Sequence, residues 1–188
     1  MKKRFLLLSL CLLAGSSLWA QNYFNLTQLS FLIADENEFS PIKSNMAPSV
    51  VNIHGYRFND HVSMGIGVGM TAMSYLIFPV FADFRVTLLK DNLSPVLAIK
   101  GGYAFANSKK EIFQETYNGE YKNKGGGMFH PEVGFKVTMT EHADFILTIG
   151  YWYQHVKSDI KDKYGYYQMH TRTSDLNRLS FSVSFLFK

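Results

Sequence analysis

The sequence predicts an all-β protein, an eight-stranded antiparallel up-and-down transmembrane β-barrel. Three observations carry that prediction. Apolar and polar side chains alternate with a period of two in segments of about ten residues, the signature of barrel strands. The connectors between segments switch between short turns and long polar stretches. After residue 20, no window holds the run of about 18 apolar residues that a transmembrane helix requires.

Residues 1–20 read as a secretory signal peptide. Lys2, Lys3 and Arg4 form its positive region, Phe5 to Leu13 its apolar region, and Ser16 to Ala20 its cleavage region. Cleavage is expected between Ala20 and Gln21, which leaves 21–188 as a single barrel domain. The only cysteine, Cys11, lies inside the peptide and follows Leu10, not the small residue a lipidation signal requires. The mature chain therefore has neither a disulfide framework nor a thiol nucleophile. Removing Lys2, Lys3 and Arg4 from the 19 basic residues leaves 16 against 15 acidic ones, so the formal charge of +4 falls to +1. That balance gives no reason to expect nucleic acid as a partner.

Eight strands are expected: Asn25 to Ala34, Pro48 to Phe58, His61 to Met73, Phe78 to Leu89, Ser94 to Ala106, Met128 to Thr140, Asp144 to Val156 and Asn177 to Phe187. Asn59-Asp60, Asp91-Asn92 and Glu141-His142-Ala143 are short turns of residues suited to tight connections. Asp35 to Ala47, Asn107 to Gly127 and Lys157 to Leu176 are long and polar, and only Ser74 to Ile77 breaks the pattern. Short turns at one end, long loops at the other and an even strand count describe a bacterial outer-membrane barrel, with the long loops outside the cell.

The turns also fix expected registers. A two-residue loop at Asn59-Asp60 sets Tyr56 opposite Ser63, His54 opposite Gly65 and Asn52 opposite Gly67. The Asp91-Asn92 loop sets Asp83 opposite Lys100 and Arg85 opposite Ala98. A three-residue loop after Thr140 sets Lys136 opposite Thr148, Glu132 opposite Trp152 and His130 opposite Gln154.

One face carries Met64, Ile66, Val68, Val80, Phe84, Leu97, Ile99, Phe135, Leu147, Ile149 and the aromatics of the last strand. The other carries Gly65, Gly67, Gly69, Asp83, Arg85, Lys100, Glu132, Lys136 and Ser180, Ser182 and Ser184. An eight-stranded barrel is just wide enough for side chains to fill it. The small and charged face is therefore expected inside, with His54 and His130, and the apolar face against lipid. Phe84, Phe145 and Phe187 fall where one interfacial girdle belongs; Phe31, Tyr75, Phe78, Tyr103, Phe105, Phe129, Tyr151 and Tyr153 fall where the other does.

The run "HGYRFNDHVSMGIGVGM" followed by "FPVFADFRVTLLKDNLSPVLAIKGGYAF" resembles the small outer-membrane β-barrel domain proteins of Bacteroidetes-type bacteria. The motifs are the turn after Phe58, the glycines at 65, 67 and 69, Pro79 to Arg85, and Ser94-Pro95, within Asn52 to Ala106. They are structural, so the resemblance implies a fold and the outer membrane. In size the chain is similar to OmpX-like and OmpA-type barrels, which implies envelope integrity, adhesion or surface interaction. The last strand is similar to the C-terminal signal read by the barrel-insertion machinery, with Phe181, Phe185 and Phe187 as its aromatics. Lys188 departs from that pattern by one place, and nothing in the sequence accounts for it.

The interior charges Asp83, Arg85, Lys100, Glu132 and Lys136 are expected to neutralise one another as a plug, because unpaired ions in a low-dielectric interior are costly. An ion path is the sharper alternative. The six histidines have no metal-ligand spacing, so no metal and no cofactor are expected. His155 lies near Ser158 and Asp159, and His170 near Ser174 and Asp175, the kind of polar neighbours a lipid A-modifying enzyme would use; no catalytic residue is assigned from such proximity. "GIGVG" opens no helix and is not a phosphate loop, and Gly125 to Gly127 reads as a flexible loop base. The long loops combine Tyr117, Tyr121, Tyr164, Tyr166 and Tyr167 with mixed charge, composition that fits either solvated loops or a contact surface for protein or glycan. The expected protein is a non-enzymatic monomer, surrounded by outer-membrane lipid and lipopolysaccharide, with a narrow channel or a lipid A-modifying enzyme as alternatives.

Overall fold

A computed structural model describes residues 22–34, 46–73, 76–106, 108–114, 117–162 and 170–188. The signal-peptide region, the Ala20–Gln21 junction, Tyr75, Tyr164, Tyr166 and Tyr167 lie outside them, as do the side chains of Tyr117 and Tyr121. The strands are β1 (Tyr23–Ala34), β2 (Met46–Arg57), β3 (Val62–Ala72), β4 (Leu76–Thr87), β5 (Leu93–Ala106), β6 (Ser108–Gln114), β7 (Tyr117–Thr140), β8 (Ala143–Asp162) and β9 (His170–Phe187). Every pairing is antiparallel. Neighbours in the chain are neighbours in the sheet except for β5 and β6: β5 joins β7, the short β6 pairs with β7 as well, and β1 joins β9. The wall is thus a closed eight-stranded barrel without an edge, the condition for satisfying backbone groups in hydrocarbon.

Burial alternates residue by residue along each wall strand. The outward set is the apolar one expected, with Ile66, Ile149, Phe135, Val68 and Leu97 all exposed. Phe84 and Phe187 stand at the short-turn end, and Phe31, Phe78, Tyr103, Phe105, Phe129 and Tyr151 toward the other. The Tyr103 and Phe105 rings lie tilted with centroids 4.9 Å apart, and Phe145 meets Phe185 edge-on at 5.3 Å.

The registers divide. In β4–β5, Asp83 faces Lys100 and Arg85 faces Ala98, as the Asp91-Asn92 turn requires. In β2–β3 the register differs by one residue from expectation: Gly55 faces Gly65 and Ile53 faces Gly67. Asn59 is the cause. Its Oδ1 accepts from the amides of His61 (2.9 Å) and Val62 (2.8 Å), and Phe58 N donates to Val62 O at 2.9 Å, so three residues turn the chain. A slip of one flips a strand, so Val51 and Ile53 point inward and His54 points out.

In β7–β8 the difference is two residues, with Glu132 opposite Gly150, Lys136 opposite Ile146 and Met128 opposite Gln154. The turn holds only Glu141 and His142, and an irregularity between Thr138 and Thr140 absorbs the extra residue. An even shift leaves every side chain on its expected face.

The strands also run on where long loops were expected. β7, β8 and β9 continue beyond the aromatic girdle, pairing Gly119 with Asp162 and Ile160 with His170, while β6 pairs with β7. Gly125 to Gly127 lie inside β7, and Gly125 takes a φ of 84° at a register shift, a conformation glycine adopts without strain.

Inside, the lumen is layered. Phe24, Leu26, Ile53, Ile146 and Leu186 fill the short-turn end, and Leu32, Ile77, Met128, Trp152 and Leu176 fill the other. Gln28, Ser30, Asp83, Lys100, Glu132 and Ser182 lie between them, and Arg85 is buried toward the short-turn mouth. The interior is therefore more apolar than the sequence implied. The inward glycines serve this: Gly67 faces Phe81 across β3–β4, and a Cβ there would overlap the Phe81 ring.

Candidate functional site

The polar layer is built from strands far apart in sequence. Lys100 on β5 donates from Nζ to Glu132 Oε2 on β7 (2.7 Å) and to Gln28 Oε1 on β1 (2.6 Å). Gln28 Nε2 donates in turn to Glu132 Oε1 (2.7 Å) and Ser30 Oγ (3.1 Å). Ser182 on β9 bonds Ser30 (2.8 Å) and reaches Glu132 Oε1 (3.3 Å). The result is a closed knot in which a buried cation and a buried anion each have direct partners, the arrangement a desolvated ion pair needs.

His130 borders the knot. Its Nε2 lies 2.7 Å from Ser180 Oγ and 3.3 Å from Glu132 Oε1, and its ring tilts against Trp152 at 5.0 Å. A histidine between a serine and a carboxylate invites a catalytic reading, which the geometry does not support. Both partners meet the same nitrogen, whereas a serine hydrolase holds the second nitrogen with its acid. Among the described residues His130 Nδ1 has no partner, and the residue is 1% exposed, beyond the reach of a substrate.

Arg85 and Asp83 form a separate buried pair, Nη2 to Oδ1 at 3.3 Å. Lys136 joins neither group. It is half-buried at the short-turn mouth of the lumen, together with Arg57, Asp144 and Lys188. His54, expected in the lumen, lies on the outer surface, where it bonds Tyr23 and lies within 3.3 Å of Asn25. Asn52 beside it exchanges amide hydrogen bonds with Asn25 at 3.0 and 3.2 Å. These outward partners suit the register that contradicts a lumenal His54.

Sequence reasoning missed Gln28 and Lys188. Gln28 shares the parity of Leu26, Ser30 and Leu32, and that alternation was the available signal. Lys188 pairs with Asp144 (2.7 Å) and donates its backbone amide to His142 O (2.9 Å), fastening the end of β9 to the β7–β8 turn. Phe181, Phe185 and Phe187 face outward beside it.

Near the opposite rim, His155 Nδ1 donates to Asp175 Oδ1 at 2.6 Å and Tyr153 OH donates to the same oxygen at 3.1 Å. The histidine thus joins a carboxylate from the other expected neighbourhood, across β8–β9. The side chains of Ser158, Asp159, His170 and Ser174 lie outside the described residues. Hydrogen bonding from His155, reinforced by Tyr153, holds Asp175 below the usual carboxylate range. At the short-turn end Asp60 is lowered likewise, first by its hydrogen bond from Lys90 and then by that charge, the pair being 2.7 Å apart. Among the described residues, no three His, Cys, Asp or Glu side chains are grouped as a metal ion would require.

A closed barrel with a filled lumen and an apolar outer belt is the construction of an outer-membrane β-barrel, and the chain is an integral membrane protein of that class. Solved structures of similar fold include outer membrane protein OprG from Pseudomonas aeruginosa, with a TM-score of 0.64, 11% identity and coverage of 88% of this chain and 95% of that one. Neisserial surface protein A gives a TM-score of 0.59 at 11% identity, covering 88% and 96%. Outer membrane protein AlkL, solved in lipid bilayers, gives 0.50 at 12% identity, covering 89% and 90%. No protein-family model matches the chain, and no curated protein matches its sequence. The fold and its belt place the protein in a bacterial outer membrane.

Proposed function

We propose that the protein is a non-conducting, non-enzymatic outer-membrane barrel of the OmpX-like kind, which acts in envelope integrity or surface interaction through the ends of β6 to β9 that rise beyond the membrane. The observation that carries this reading is the Lys100–Gln28–Glu132 knot, held between two apolar layers. An ion crossing the lumen would have to part a buried pair and then cross hydrocarbon side chains, each step costly in a low dielectric. Function then falls to surfaces, and the long paired extension is the most conspicuous one. Its partner is a protein or a glycan outside the cell, and lipopolysaccharide surrounds the barrel as a monomer. Reconstitution in planar bilayers tests the reading: no steady unit conductance is expected, and a steady conductance altered by Asp83→Asn or Arg85→Gln would overturn it.

The His155–Asp175 pair favours a second reading, a lipid-modifying enzyme. Asp175 orients the ring through Nδ1 and leaves Nε2 available as a general base near lipid headgroups. Mass spectrometry of lipid A from cells with and without the protein separates the two. An acyl change abolished by His155→Ala would establish the enzyme, and an unchanged lipid A would remove it.

A further inference from the structure

We infer that the short-turn mouth of the lumen is a binding site for a phosphate-type oxyanion, with Arg57, Arg85 and Lys136 as its cationic contacts. The mouth is a small recess with about 30 Å3 of internal space, open to that side and lined by these three side chains with Lys188, Asp144 and Asp60. Its charges do not cancel. Asp60 is committed to Lys90 at 2.7 Å and Asp144 to Lys188 at 2.7 Å. Among the described residues, neither Arg57 nor Lys136 has a carboxylate within ion-pair distance.

Arg85 is the sharper sign. It is 2% exposed, spends only Nη2 on Asp83 and, among the described residues, has no partner for Nε or Nη1; Arg57 Nε is likewise buried without a partner among them. Buried guanidinium donors are almost always satisfied. A tetrahedral oxyanion matches them well, since a guanidinium presents parallel N–H groups to two oxygens while a lysine adds a point charge. The recess opens at the membrane boundary marked by Phe84 and Phe187. Free phosphate and the phosphodiester of an inner-leaflet lipid can therefore both reach it, and they share this chemistry.

The test uses the full folded barrel, its folding verified by heat-modifiable gel mobility. Inorganic phosphate is titrated by calorimetry in maltoside detergent, and retained phosphatidylglycerol is counted by native mass spectrometry after transfer from doped nanodiscs. Arg57→Gln and Lys136→Gln lie at the half-buried mouth and carry the test even where Arg85→Gln fails to fold. Each is expected to weaken binding about tenfold or more, and Lys136→Arg to retain it. Saturable phosphate binding lost in these variants identifies the free ion as sufficient. Phosphatidylglycerol retention alone, lost in the same variants, identifies the headgroup. No saturable binding of either, or binding indifferent to both glutamine variants, overturns the assignment.

Discussion

Lys100 Nζ lies 2.7 Å from Glu132 Oε2 at the centre of the lumen, with both side chains at most 1% exposed. Such a pair is held in place mainly by what its loss would leave behind. Replacing one partner strands the other charge in a low dielectric and is expected to cost about 3–5 kcal/mol. Lys100→Met and Glu132→Gln should each show that loss in urea unfolding from detergent micelles or vesicles. The double variant Lys100→Met/Glu132→Leu should lose much less, because no ion is left unpaired. Equal losses in the single and double variants would show that the pair is not coupled.

Gly67 and Phe81 share one layer of the lumen, and the ring occupies the space a Cβ would need. Gly67→Val should destabilise the barrel by about 1–3 kcal/mol through overpacking. Phe81→Leu, which vacates part of that space, should recover some of the loss when combined with it. A combined variant no more stable than Gly67→Val alone would mean that the backbone, not the ring, sets the limit.

Ile66 and Ile149 point outward from the middle of β3 and β8, at 66% and 55% exposure. In lipid, an arginine at either position should cost about 2–4 kcal/mol. His54→Arg, three residues from the turn end of β2, should cost less. Tryptophan-free positions such as these can be read by equilibrium unfolding in vesicles of defined thickness. A neutral Ile66→Arg would argue that this face does not meet hydrocarbon.

Asp175 is lowered by the hydrogen bonds of His155 and Tyr153. Its folded value is depressed, so the pair supports the β8–β9 extension at pH above the unfolded carboxylate value. That support is lost as pH falls through the depressed one. NMR titration should therefore place Asp175 below 3.8, the ordinary value, and His155→Ala should return it upward. No movement in the variant would show that the hydrogen bond does not control the carboxylate.

Much of this barrel was legible because alternation is a direct projection of the pleat onto the sequence. Asp83 opposite Lys100 followed from Asp91-Asn92 alone. The site was less legible, for identifiable reasons. His54 and Asn52 look like interior residues only when the turn holds two residues, and the Asn59 side chain adds a third. With that strand turned over, Val51 and Ile53 enter the lumen, and the polar residues find Asn25 and Tyr23 outside. Glu132 was recognisable by charge, but its neutral bridge Gln28 was not, because it becomes significant only when β1 lies near β7 across the lumen. The extensions of β7 to β9 were concealed by polar composition, since two-residue alternation is read from apolar residues and these segments hold few.

The seam between β1 and β9 has a final consequence. Ten residue pairs, from Asn25 with Phe187 to Ala34 with Arg178, join segments separated by most of the chain. A barrel lacking any one wall strand would present two rows of unpaired backbone groups to hydrocarbon, at several kcal/mol for each group. Partial structures are therefore penalised far more heavily than the complete one. Cooperativity is a property of the circle itself: within the membrane the protein should pass between folded and unfolded in a single transition, with its long-range seam setting the pace.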